Sequence, residues 1–383
     1  MGTRLTAHIR CRNPPLTLTV ISRHYPDLHS HSKRSDPMNI PIPTEEETER
    51  GFVPISDGQL LEYAERVQGK VVLITGAANG IGRETAMRFA SSGAKLVIGD
   101  LDVPGAEKAI SEIRESGGQA VCMKCDVTIW EEQIALFELA VKTFGCVDVV
   151  VANAGVGELS DFTQVKINPA TGKPQRPNIL AVQVNLIGVM YTLQLAQYFL
   201  LVAREDPGSL KAVIALGSVA SWVGNPIIPV YVATKHGVLG LVRSLEPAFS
   251  AQGIRVAVIS PFFAETSIIQ NILSPMYRLV LAGIPFTPVS RIAATIVYAA
   301  TRSDSDIKRG GSSGSAYLLL DDGPVFEVPR EGFKMGVYKK LDERANGAFR
   351  RLQGLAYTSK VIQDVFGVVG KPIIGSAIAF GIV

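Results

Sequence analysis

Short aliphatic runs and amphipathic stretches alternate along most of the chain. KVVLIT, AKLVIGD, AVCMKCD, VDVVVAN, KAVIALGS and IRVAVIS are brief and β-branched, as buried strands are. Between them run helical patterns. GRETAMRFASSG puts Ala86, Met87 and Ala90 on one side, and EEQIALFELAVKTFG and NILAVQVNLIGVMYTLQLAQYFL continue the series. Regular alternation of strand and helix predicts a parallel sheet covered by helices on both faces. The expected fold class is α/β, a doubly wound parallel sheet of about seven strands, completed by SAYLLLD at 315–321.

The pattern stops at both ends. Residues 1–60 carry Pro14, Pro15, Pro26, Pro37, Pro41 and Pro43 and the acidic run TEEETE, a composition expected outside a packed core. They read as a disordered leader, with Met38 as an alternative initiator. The basic, serine-containing start, whose first acid is Asp27, also resembles an organelle transit peptide. Residues 61–330 hold the alternating domain. In 331–383, Tyr338, Leu341, Ala345, Phe349, Leu352 and Leu355 recur at helical steps, while Lys339, Lys340, Arg344, Arg350 and Arg351 mostly lie off that stripe. This is a basic amphipathic helix pattern. The apolar stretch 365–383 is interrupted by Lys371 and Pro372, whereas a spanning helix needs about 20 continuous apolar residues. Two readings of the tail stand: packing on its own domain or a second subunit, or peripheral membrane contact.

Composition narrows the class. Hydrophobic residues are 47% and charged residues 19%, which predicts a chain that is mostly folded. The net charge is +3, and the basic excess sits in 1–37, where Arg4, Arg10, Arg12, Arg23, Lys33 and Arg34 face only Asp27 and Asp36. The remainder is near neutral and offers no electrostatic case for nucleic-acid binding. Cys11, Cys122, Cys125 and Cys146 suggest no disulfide framework, and CMKC at 122–125 lacks the second pair a zinc site requires. No metal is expected. A reducing cytoplasmic compartment fits, with peripheral membrane or mitochondrial location as alternatives.

After the first strand comes TGAANGIG, with Gly76, Asn79, Gly80, Ile81 and Gly82. A glycine-rich turn between strand and helix lets the backbone approach a pyrophosphate, and the helix N-terminus offers it free N–H groups. The second strand ends in Asp100 followed by Leu101, where a carboxylate accepts hydrogen bonds from the adenosine ribose and repels the extra phosphate of NADP. With no arginine in the loop or just after Asp100, the expected cofactor on a Rossmann-type sheet is NAD.

A second constellation lies further on. In PVYVATKHG, Tyr231 stands four residues before Lys235, so one helix face brings phenol and ammonium together. Ser218 in ALGSVAS precedes Tyr231 by thirteen residues. With TGxxxGxG, the CDV turn at 125–127, ANAG at 152–155, Asn185 in VQVNLIGV, YVATK, and SPFFAET with Pro261 and Thr266, the chain resembles the short-chain dehydrogenase/reductase family over roughly 65–325. Ala152 replaces the first Asn of the family's NNAG element, Asn153 being kept, and Phe262 replaces the usual Gly after Pro261.

The resemblance implies a catalytic set of Ser218, Tyr231, Lys235 and Asn185. It implies cofactor contacts at the glycine loop, Asp100, Leu101, Asp126, Val127, Asn153, Tyr231, Lys235, Pro261 and Thr266. Tyrosine titrates near pH ~10, and a useful base at neutral pH needs a shift of about three units, roughly 4 kcal/mol. One ammonium about 4 Å away supplies around 4 kcal/mol at an effective dielectric of ~20. Lys235 is therefore expected to activate Tyr231 for proton transfer, Ser218 to hydrogen-bond the substrate oxygen, and Asn185, by the resemblance, to hold a relaying water. His236 reads as structural, and Trp222 as either a substrate wall or core. The apolar segment SIIQNILSPMYRLVLAGI, 267–284, corresponds to the family's substrate lid and predicts an apolar substrate.

The expected function is hydride transfer between NAD and a hydrophobic secondary alcohol or ketone of lipid, steroid or secondary-metabolite type. The alternatives are a non-catalytic NAD-binding sensor and a membrane-surface or partner-binding scaffold acting through the tail. By analogy with the family, helices at 179–203 and 229–251 are expected to pair in a homo-dimer or homo-tetramer.

Overall fold

The structure, a computed structural model, describes residues 52–158, 162–202, 209–264, 266, 286–302 and 314–328. Its strands are β1 Val53–Ile55, β2 Val71–Thr75, β3 Lys95–Asp100, β4 Gln119–Lys124, β5 Val149–Ala152, β6 Ala212–Leu216, β7 Arg255–Pro261, β8 Ala316–Leu319 and β9 Val325–Val328. The helices are α1 Gly80–Ser91, α2 Val103–Glu115, α3 Trp130–Phe144, α4, α5 Pro229–Ala251 and α6 Val289–Thr301. Helix α4 runs through Leu180–Val182, Gln183–Gly188 and Val189–Phe199, and its middle piece is π-helical.

The nine strands among the described residues form one sheet in the order β1-β9-β8-β7-β6-β5-β2-β3-β4. The seven from β8 to β4 are parallel. Strands β9 and β1 add an antiparallel edge that the sequence pattern did not announce. Strands β2, β5, β6 and β7 are buried along their whole length, which is why they read as unbroken β-branched runs. Chain order reverses between β2 and β5, and this switch point opens a crevice at the carboxyl ends of the strands.

Two apolar layers flank the sheet. On one side Val72 and Ile74 meet Phe89 of α1, Ile110 and Ile113 of α2, and Ile292 and Ile296 of α6. On the other, Val71 and Leu73 meet Leu136 and Phe137 of α3, Leu193 of α4, and Val238 and Val242 of α5. The period-2 alternation of β2 thus divides its side chains between the layers. Helix α2 starts where Asp102 accepts from the Gly105 N–H at 3.1 Å, and α3 stops at Gly145, whose φ of 90° suits glycine.

The boundary between leader and domain needs correction. The fold begins upstream of residue 61, because β1 pairs with β9 and Ile55, Leu60 and Val67 are buried in the first layer. Proline and acid density hid this edge; Pro54 itself sits in β1, an edge strand, where proline is tolerated. The basic amphipathic helix, the tail and the 267–284 lid segment lie outside the described residues, as does the leader through residue 51. Among the described residues no helix is long and apolar enough to cross a membrane.

Candidate active site

Sharp turns after β2 build one end of the site. Gly76 has φ of +72°, and a Cβ there would fall 2.7 Å from Ala154 Cα. A Cβ on Gly82 would collide with the Gly76 carbonyl oxygen, so α1 can start this close to the strand only with glycine. Asn153, just past β5, locks the turn by donating from Nδ2 to the carbonyls of Thr75 at 3.0 Å and Gly76 at 2.6 Å. The Asn79 side chain does not cap the first turn of α1, and Gly80, Ile81 and Gly82 line a cavity of about 380 Å³.

Two carboxylates edge the same cavity. Asp100 accepts from the Ala78 N–H at 2.8 Å and the Asp102 N–H at 2.9 Å, which fixes its side chain beside the glycine loop. Asp126 accepts from the Thr128 N–H at 2.9 Å and hydroxyl at 2.8 Å. Leu101, Val127, Pro261 and Thr266 complete this part of the wall.

At the other end lie Ser218, after β6, and Tyr231 and Lys235 on α5. The Ser218 hydroxyl bonds the Tyr231 phenol and also reaches the Pro261 carbonyl at 3.4 Å. Lys235 is buried and donates from Nζ to the Leu216 carbonyl at 2.7 Å, 5.6 Å from the Tyr231 ring centroid. Asn185 does not reach the cavity. It sits fully buried behind Gly155 in the π-helical turn, its Nδ2 donating to the Val156 carbonyl and its Oδ1 accepting from the Val156 N–H. Every other residue anticipated for cofactor or chemistry lines one continuous surface.

The sequence and the sheet have known counterparts. The short chain dehydrogenase family model matches residues 70–276. The chain belongs to that family. It is 32% identical over 222 residues to the 5'-hydroxyaverantin dehydrogenase of Dothistroma septosporum, covering 55% of this chain and 72% of that one. It is 32% identical to the cyclohexanol dehydrogenase of an Acinetobacter species, covering 53% and 76%. The 3-ketoacyl-(acyl-carrier-protein) reductase of Brucella melitensis, a structure complexed with NADH, superposes with a TM-score of 0.55 at 27% identity, covering 67% of this chain and 97% of that one. At this level the protein is an oxidoreductase.

The electrostatics of the dehydrogenase site differ from the sequence estimate. Burial raises the Tyr231 phenol above its ordinary value, and only the Ser218 hydrogen bond opposes it. Burial also lowers Lys235 from 10.5 to about 8. One ammonium has the right size on paper, but the same burial that strengthens its field also penalises the phenolate. In this site the second effect wins.

The residues present fit a nicotinamide dinucleotide. Gly76, Gly80 and Gly82 line the cavity with bare backbone, beside a helix N-terminus suited to phosphate. Arg83, the nearest following cation on α1, is ion-paired with Glu112 of α2. Several wall residues escaped the sequence reading: Val156, Val184, Leu216 and Ala264 line the cavity, but plain aliphatic residues carry no local signal of that role. Trp222 donates from Nε1 to Ser260 Oγ at 3.1 Å. His236 is exposed with its ring on the Val232 carbonyl, away from Lys235 chemistry. Cys125 is buried, and burial pushes its thiol up to about 12, so it behaves as a small apolar side chain.

Proposed function

We propose that the protein transfers a hydride between NAD and a hydrophobic secondary alcohol or ketone. The observation that carries this reading is the meeting of Ser218, Tyr231 and Lys235 on one cavity whose far wall is the glycine loop and Asp100. Tyr231 takes the alcohol proton in oxidation and returns it in reduction, while Ser218 hydrogen-bonds the same oxygen. Lys235 keeps N–H donors beyond the one given to Leu216 and orients the cofactor ribose. When bound, the nicotinamide supplies the hydride acceptor or donor.

Preference for NAD over NADP is supported by Asp100 beside the loop and by the engagement of Arg83 with Glu112. A hydrophobic substrate is supported by Val156, Val184, Leu216, Phe262 and Ala264 in the wall, and by relatives named for 5'-hydroxyaverantin and cyclohexanol. FGCVDVVVANAGV and PVYVATKHGVLGLVRS also resemble segments of 15-hydroxyprostaglandin dehydrogenase, but Ile228 stands where that enzyme has a polar glutamine. A prostaglandin-like hydroxy acid is therefore not the substrate we assign. Pairing of copies through α4 and α5 is supported by exposed Met190 in mid-α4, Tyr198 near its end and Leu201 just beyond it.

The test is calorimetric titration with NAD⁺ and NADP⁺, then a panel of hydrophobic secondary alcohols followed at the NADH absorbance, for the native protein and Y231F. The reading requires NAD⁺-dependent turnover that collapses in Y231F while NAD⁺ still binds. Turnover by Y231F at the native rate would overturn it.

A further inference from the structure

Glu158 lies in the loop that leaves β5, three residues past Gly155. Its Oε2 accepts a hydrogen bond from the backbone N–H of Tyr231 at 2.9 Å, across 73 residues of sequence. That N–H belongs to the first turn of α5, whose donors have no partner within the helix. Nothing local serves it: the cap position is Ile228, which makes no side-chain cap, and Pro229 opens the helix without an N–H. The carboxylate thus does the work of a cap from another part of the chain, with a charge that suits the positive end of the helix.

We propose that Glu158 is a positioning residue for Tyr231, holding the start of α5 so that the phenol stays against Ser218. The inference rests on the oxidoreductase reading, in which Tyr231 moves the proton. Tyr231 is then tied at two points, its main chain to Glu158 and its phenol to Ser218. The loop that carries Glu158 is itself anchored two residues earlier, where Val156 exchanges two hydrogen bonds with Asn185. Asn185, Val156, Glu158 and Tyr231 form one mechanical line from α4 to the phenol. A shift of α5 by a fraction of an ångström changes reactive geometry more than it changes binding.

The test compares full-length native protein, E158Q and E158A. Kinetics use the secondary alcohol that the native protein oxidises fastest, NAD⁺ affinity is measured by calorimetry, and hydrogen exchange is followed over residues 229–235. The amide oxygen of E158Q accepts the same bond, so its kcat stays within about twofold of native. E158A loses the bond, and its kcat falls about tenfold with KM and NAD⁺ affinity unchanged, as expected for about 1.4 kcal/mol in the barrier. Exchange at 229–235 quickens in E158A and not in E158Q. Native kcat in E158A, an equal loss in E158Q, or unchanged exchange in E158A would each overturn the proposal. A native protein that oxidises no alcohol would count against the oxidoreductase reading instead, and exchange would still decide whether Glu158 holds the helix.

Discussion

Asn185 and Val156 exchange two hydrogen bonds of 2.8 Å, the Asn185 amide standing in for the edge of a neighbouring strand. The π-helical turn at Gln183–Gly188 presents that amide to the loop after β5. An alanine at 185 removes both bonds from the half-buried Val156 peptide groups, at about 1 kcal/mol each. Thermal denaturation of N185A should show Tm lowered by several degrees. An unchanged Tm would mean the loop holds its own conformation.

The bond between Ser218 and Tyr231 lowers the phenol against the raising effect of burial. Removing it in S218A raises the phenol further. The pH profile of kcat/KM for alcohol oxidation should then drop and move its rising limb to higher pH. A profile that only scales down would show that Ser218 touches the substrate and not the base.

Lys235 illustrates a conflict between chemistry and stability. Its folded value, about 8, lies below the unfolded 10.5, so the fold disfavours the ammonium. Below pH 8 both states are protonated and the full penalty applies, roughly 3 kcal/mol. Stability rises from pH 8 through 10.5, where the folded lysine has released its proton and the unfolded chain retains it. K235M should lose turnover, melt at pH 7 no lower than the native protein, and lack that alkaline gain. A K235M protein far less stable than native would mean that the bond to Leu216 outweighs burial.

On the proposed reading, Asp100 discriminates NAD from NADP by charge. Like charges a few ångströms apart cost a few kcal/mol near a protein surface. D100S should raise the ratio of NADP⁺ to NAD⁺ efficiency by about tenfold or more by that estimate. Kinetics with both cofactors settle it, and an unmoved ratio would place the 2′-phosphate elsewhere.

Phe262 lines the cavity with its ring edge-on to Phe263 at 4.6 Å, and Phe263 meets Phe286 at 6.3 Å. F262G removes that wall. For a small alcohol such as cyclohexanol, kcat/KM should fall by about tenfold, the value of a lost apolar contact of 1.5–3 kcal/mol in part. Bulkier secondary alcohols should gain relative to it. Equal losses for small and bulky alcohols would mean that the ring braces the loop without touching substrate.

The seven parallel strands were legible because burial on both faces writes a continuous aliphatic run, as in Val71–Thr75 and Ala212–Leu216. Strands β1 and β9 were not, since VPI and VFEV are too short to set a period and one contains proline. The glycine loop, Asp100, Ser218, Tyr231 and Lys235 could be read because their spacing is local or belongs to a family pattern. Glu158 could not, because its partner is far away in sequence. The elevated phenol of Tyr231 was misjudged for the same reason: a charge can be counted in a sequence, but the surroundings that desolvate it cannot.

Strand β1 reaches its place only through β9, with Phe52 edge-on to Phe326 at 6.3 Å. Almost the whole domain is synthesised between them. Of the described strands, the first to leave the ribosome is thus the last able to join the sheet, and closing so long a loop is slow compared with forming βα units already in register. During synthesis the Phe52–Ile55 segment therefore has no strand to pair with until Val325–Val328 has emerged, and its unpaired edge is exposed for that interval.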